Sequence, residues 1–288
     1  MEVRKPKADI RTGGNSAKPG RYMLSAFCAS VLLFLFLPIL IVVPMSFSGA
    51  ESLVFPPPSL SLRWYYSFFG DGLWLDAALN SLIVSLCAST GALFFGMLAA
   101  YGLVRGSFRW RRLMEANFIA PLALPVIVTA VALYIFFSQL GVLGNFWGLV
   151  AAHMILITPY IVLLMSLAIA AFDERIEQVA FTLGASRLRV LTRVVLPNVR
   201  GSALAAWLLA FVMSFDEVVV TLFVSGTYLT IPKKMFNELV MRINPTITAV
   251  ATLMIFFSIL SVALVAFLTR GSFVLPGSST RKTSGQTS

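Results

Sequence analysis

Charge is scarce in this chain. Of its 288 residues only 12% are Asp, Glu, Lys or Arg, while 58% are hydrophobic. A soluble domain of that length needs a far larger polar surface, so the shortage points to an integral membrane protein. Cysteine is nearly absent. Cys28 and Cys87 both lie in apolar runs, which excludes a disulfide framework and leaves them as small buried apolar side chains. Histidine occurs once, at His153, with no partner at metal-ligand spacing, so a hydrogen-bonded structural histidine is expected there. No Gly-x-x-x-x-Gly-Lys-Ser/Thr stretch exists to cradle a nucleotide phosphate. No Ser/His/Asp or Cys/His nucleophile set is visible either. The chain therefore offers no legible catalytic, cofactor-binding or metal-binding residues of its own.

Apolar runs are abundant instead. A bilayer core needs about 20 apolar residues per helix. Six segments qualify: Tyr22–Phe47, Ala78–Val104, Leu113–Gln139, Phe146–Phe172, Gly201–Val224 and Thr246–Thr269. The first exceeds the about 7–15 apolar residues of a cleaved signal peptide, which favours a retained span. The net charge of +10 is spread between the runs rather than over one face, so it reads as a topology signal and not as a nucleic-acid footprint. Eighteen Lys and Arg fall on the side of the two termini. Only Arg63, Lys233, Lys234 and Arg242 fall on the other. The positive-inside rule places both termini in the cytoplasm, as an even number of spans requires. The expected fold is an all-α membrane protein with six transmembrane helices.

Residues 1–21 and 271–288 are polar and read as cytoplasmic disordered tails. Residues 22–47 are the first transmembrane helix, and residues 48–77 form an outer, periplasmic loop. In that loop Phe55-Pro56-Pro57-Pro58 interrupts helix formation, and Trp64, Tyr65, Tyr66, Phe68 and Phe69 cluster after it. The cluster suits an anchor at the headgroup level or a docking surface for an extracytoplasmic partner.

The segment 173–200, DERIEQVAFTLGASRLRVLTRVVLPNVR, is too patterned for a plain connection. Ile176, Val179, Ala180 and Leu183 fall on one helical face. Gly184 suits a helix C-cap, and Ser186 suits the N-cap of the next helix. Leu188, Leu191 and Val195 make a second stripe opposite Arg187, Arg189 and Arg193, and Pro197 is expected to close that helix. Two short amphipathic helices joined at Gly184 result. They suit either an interfacial anchor on anionic lipid or a formed ridge offered to another protein.

These residues resemble the coupling motif of ABC-importer permeases, of the form E-A-A, three residues, G, nine residues, I-x-L-P. Gly184 is followed by nine residues and then Val194-Val195-Leu196-Pro197, and Glu177-Gln178-Val179-Ala180 precedes it. Gln178 stands where the motif has glutamate, Val179 where it has alanine and Val194 where it has isoleucine. The Phe-Pro-Pro and SLRWYYSFF stretches, Asn80-Ser81-Leu82, Gly96, Ala99-Ala100-Tyr101, Pro121, Pro125, SFDEVVVTLFVSG and Ile231-Pro232-Lys233-Lys234-Met235-Phe236 are similar to the spermidine/putrescine permease family. The likeness spans about residues 45–270. It implies a type I permease core over residues 78–270 of a bacterial inner-membrane importer. It implies as partners a cytoplasmic ABC ATPase pair that binds ATP and Mg, a second permease subunit forming a heterodimer, and a periplasmic solute-binding protein. ATPase-coupling residues on this resemblance are Glu177, Gln178, Ala180, Gly184, Ala185, Leu196 and Pro197. The neutral Gln178 lacks the motif's charge, and Glu177 one position earlier is rotated by about 100°. The implied solute is a polyamine or similar small cation. Relatives for phosphonate, iron, opine or amino-acid-like solutes share these features, and a stand-alone carrier or channel is the rival class.

Asp216 and Glu217 interrupt the apolar run from Trp207 to Val224. A charge at the bilayer centre costs about 2.5–3.5 kcal/mol on insertion scales. Three readings stay open. One carboxylate lines a cation path, an acid pairs with a partner subunit's cation, or Asp216 and Ser214 cap a broken helix. Trp207, Phe211 and Ser214 approach the same face at helical spacing, where the aromatics also suit plain helix packing.

Overall fold

A computed structural model describes residues 18–241 and 244–269 of the chain. Most of both expected tails lies outside the described residues; the first helix already begins at Lys18. The described residues are almost wholly helical: α1 (Lys18–Ser46), α2 (Arg63–Gly70), α3 (Gly72–Arg105), α4 (Arg111–Ile119), α5 (Val126–Gln139), α6 (Phe146–Ala171), α7 (Glu174–Thr182), α8 (Arg187–Val190), α9 (Leu196–Phe215), α10 (Val219–Val224), α11 (Ile231–Met241) and α12 (Thr246–Thr269). Five helical stretches are long and apolar enough to cross a bilayer, and the bent pair α4 and α5 makes a sixth.

Helices α3, α6 and α9 form the centre. Val84, Ala88, Ala92 and Ala100 of α3 pack on Leu149, Ile157, Ile161 and Met165 of α6, with Ala203, Ala206 and Ala210 of α9 closing the cluster. Small side chains let the backbones approach closely, the usual basis of helix association in lipid. At Gly96 a Cβ would meet Ile161 at 2.7 Å. Around this centre α5 packs on α10, and α1 and α2 pack on α12. From Tyr22 to Leu40 the side chains of α1 remain largely exposed, Cys28 among them, so that cysteine is not the buried one expected; Cys87 is half-buried.

Three expectations need correction. The third span is not straight. Leu124 is extended ahead of Pro125, and the chain bends by 110° between the two arms. A residue preceding proline avoids the helical region, so the bend falls there. The fifth span, counted as one run over Gly201–Val224 with a break at Asp216 among the open readings, stops at Phe215 and resumes at Val219. The helix after Ser186 does not close at Pro197. It passes from α8 through a π-helical turn over Leu191–Val195 into α9. Proline has no N–H to donate, and the wider turn, with Leu196 N–H bonded to Leu191 O, absorbs the missing bond.

The outer loop is pinned to α1 by backbone bonds from Gly49 to Ser59 and from Ser61 to Phe47, and by the Ser46 and Tyr65 hydroxyls at 2.7 Å. Its aromatic run forms α2, which buries Trp64 and Phe68 and leaves Tyr66 and Phe69 exposed.

Candidate functional site

The site residues expected from the sequence divide between two of the places where the helices break. The first is the turn between α7 and α8. Asp173 caps α7 by accepting from Arg175 N–H. At the other end Gly184 adopts φ +82°, Gly184 N–H bonds to Phe181 O, and Ala185 N–H bonds to Ala180 O. That pair of bonds is the Schellman termination, which needs a left-handed residue where glycine stands. Ser186 accepts from Arg189 N–H and starts α8.

Glycine and serine thus set the turn by local chemistry. The outward face carries Ile176, Val179, Leu183 and Leu188, with Leu183 83% exposed. Gln178 is exposed as well, and Leu196 and Pro197 are exposed on the first turn of α9. Ala180 and Ala185 are half-buried against the central core. Leu191 and Val195 are buried, so Leu188 does not share their face as expected.

Glu177 is turned the other way. It is 2% exposed and is held by Arg105 at 2.7 Å and by the Tyr101 hydroxyl at 3.0 Å. It is not a surface substitute for the glutamate missing at Gln178, because its carboxylate is committed inside the fold. Sequence reasoning missed Arg105 and Tyr101. Their signal was a cation in the last turn of α3 with a hydroxyl one helical turn before it.

The second place is the break in the fifth span. Phe215 ends α9, and Asp216 N–H bonds back to Val212 O. Glu217 Oε1 accepts from Val220 N–H at 2.8 Å and so serves the start of α10. His153 of α6 spans the break. Its Nδ1 lies 2.8 Å from Ser214 Oγ and its Nε2 lies 3.0 Å from Thr221 Oγ1. The lone histidine is hydrogen-bonded and fully buried, and it pins both ends of the broken helix to α6.

Trp207, Phe211 and Phe215 stack along α9 at 5.7 and 5.8 Å. Phe211 is buried in a core cluster and Ser214 is engaged by His153. Trp207 is half-buried, its Nε1 donating to Thr90 Oγ1. Of the five residues grouped here from the sequence, Asp216 lines an open hollow. That hollow, about 420 Å³, is walled by Pro232, Met235 and Phe236 of α11 and by Met254 and Ile255 of α12. Asn80 donates to Leu229 O, and Ser81 accepts from Ile231 N–H, so α3 fixes the loop that delivers α11 to it.

Lys233 and Lys234 are buried rather than solvated, as a topology count assumes. Lys233 donates to Ser225 Oγ and Gly226 O, both at 2.6 Å, and its burial lowers its pKa from the usual lysine range. Lys234 lies 4.7 Å over the Trp74 ring and 3.9 Å from Asp71.

Residues 92–273 match the family described as "Binding-protein-dependent transport system inner membrane component". The chain is 32% identical to the spermidine/putrescine transport system permease protein PotC of Haemophilus influenzae, over 86% of this chain and 97% of that one. It is 34% identical to the putrescine transport system permease protein PotI of Escherichia coli K12, over 77% and 82%. It is 28% identical to the molybdate/tungstate transport system permease protein WtpB of Pyrococcus abyssi, over 65% and 71%. A solved bacterial ABC transporter that imports the acidic polysaccharide alginate superposes with a TM-score of 0.70 at 18% identity, covering 90% of this chain and 98% of that one.

The chain belongs to the inner-membrane components of binding-protein-dependent transport systems. It is a multi-pass permease subunit of a bacterial ABC importer, working with a binding protein and an ATPase.

Proposed function

We propose that the chain imports a small polycation of the polyamine class, and that Asp216 is the carboxylate that receives it. The family alone does not choose a solute, since its members include a permease for molybdate or tungstate, which are oxyanions, as well as permeases for polyamines. The observation that carries the reading is the opening of Asp216 onto the hollow between α11 and α12. Glu217 next to it is occupied by a backbone N–H, whereas Asp216 is exposed and accepts no side-chain donor among the described residues. An anionic group at one end and Met235, Phe236 and Met254 along the wall suit ammonium groups joined by methylene chains. An oxyanion would be repelled there.

The likenesses to PotC and PotI favour the same solute class. The energy comes from an ATPase pair docking on the turn at Gly184, where Gln178, Ile176, Val179 and Leu183 form the outward ridge. ATP and Mg are held by that ATPase. The turn and both chain termini lie on the cytoplasmic side, following the eighteen-to-four division of basic residues. A second, different permease subunit completes the pathway.

The test is uptake of labelled spermidine by the assembled transporter carrying Asp216→Asn, a shape-conserving loss of charge. Uptake falls by about tenfold or more at unchanged membrane abundance. Unchanged uptake kinetics at normal abundance would remove Asp216 from the path and with it the polycation assignment.

A further inference from the structure

The ion pair under α7 has no role in the docking ridge, and its geometry is more elaborate than a surface salt bridge. Arg105 Nε donates to Glu177 Oε1 at 2.7 Å, while its Nη2 donates to Ile169 O at 2.9 Å and Phe172 O at 2.8 Å. Those carbonyls belong to the C-terminal end of α6, where a cation is favoured and unpaired acceptors need donors. Glu177 Oε2 accepts from Tyr101, one turn before Arg105 on α3. Three elements therefore meet at one buried node: the end of α3, the end of α6 and the inner face of α7.

Little else fixes α7. It has nine residues, too few to be stable on its own. Its apolar stripe of Ile176, Val179 and Leu183 faces outward, so burial of that stripe does not hold it. It packs on α8 and the π-helical turn, and what it and its turn set against the central core are the small side chains Ala180 and Ala185.

We propose that Tyr101, Arg105 and Glu177 are positioning residues that lock α7 to α3 and α6, so that motion delivered at the Gly184 turn reaches the membrane spans instead of tilting a loose helix. The inference rests on the ATPase-docking reading of that turn. Arginine is required because its planar fork serves a carboxylate and two carbonyls together, which a single ammonium does not. A simple exchange of Arg105 and Glu177 does not restore the lock, because it sets a carboxylate against the carbonyls of Ile169 and Phe172.

The experiment uses the complete transporter in vesicles: this chain with its ATPase, second permease and binding protein. It reads membrane abundance, ATPase retained, and solute moved per ATP hydrolysed. The double variant Arg105→Met/Glu177→Met removes both charges together, which costs a buried pair far less stability than removing one. Abundance and bound ATPase stay near wild type, while solute moved per ATP falls by about tenfold. A wild-type ratio in that variant would show the pair to be structural only and overturn the lock.

Where the double variant fails to accumulate, Tyr101→Phe decides. It leaves the ion pair in place and lowers the ratio by about two- to threefold at normal abundance, and an unchanged ratio overturns the proposal. Absence of a bound ATPase on the wild-type chain sinks the docking reading itself. A bound, active ATPase with an unchanged ratio in the variants sinks the lock alone.

Discussion

Two of the fold's helix interruptions carry acids, and it treats the acids differently at each. At the α7–α8 turn Glu177 is buried and fully answered by Arg105 and Tyr101. At the break in the fifth span Glu217 is answered by one backbone N–H, and Asp216 opens onto a hollow. A buried carboxylate with its own cation is a fastening, because the fold has already met its electrostatic need. A carboxylate left without a partner at a break in a spanning helix keeps that need for a cation from outside. The same side-chain chemistry thus marks a mechanical joint at the C-terminal end of α3 and a candidate binding point at the break between α9 and α10.

The comparison is broken most severely by Gly184→Pro. Proline fixes φ near −65°, while Gly184 sits at +82°. The Schellman turn collapses, and co-purifying ATPase falls below about a tenth of the wild-type amount with membrane abundance maintained. Retention of the ATPase by this variant would show that the turn is not where the motor grips. The Asp216→Asn loss of uptake comes next in size, and it leaves ATPase binding untouched.

The smallest effect sharpens the distinction between the neighbouring acids. Glu217→Gln keeps an oxygen to accept from Val220 N–H and stays within about 0.5 kcal/mol of wild-type stability. Glu217→Ala loses that acceptor and costs about 1 kcal/mol. Thermal unfolding of the purified complex reads both. A loss of uptake in Glu217→Gln as large as in Asp216→Asn would contradict the division of roles.

The surface turn was legible in the sequence because its geometry is set by single residues. Glycine alone adopts +82° without strain, and serine caps the helix that follows. The spans were legible from apolar length. Their interruptions were legible only as one option among several. In Trp207–Val224 the adjacent acids raised a broken helix as one reading, but the periodicity does not choose it, because the side chain that ties both halves together comes from α6. His153 reaches Ser214 across 61 positions and Thr221 across 68.

The π-helical turn before Pro197 escaped for a related reason. Proline in a sequence reads as a terminator, and only the surrounding chain shows that one wider turn accommodates it. Arg105 resembled the other basic residues flanking the spans. Its partner Glu177 lies 72 positions on, and pairing over that distance leaves no local pattern.

Reconstitution in vesicles tests the central claim most directly: that this chain is a passage moved by a motor it does not contain. Labelled spermidine accumulates only when ATP, the ATPase, the second permease and the binding protein are all present, and the purified chain alone moves none. ATP-independent flux of spermidine through the chain by itself would contradict the account.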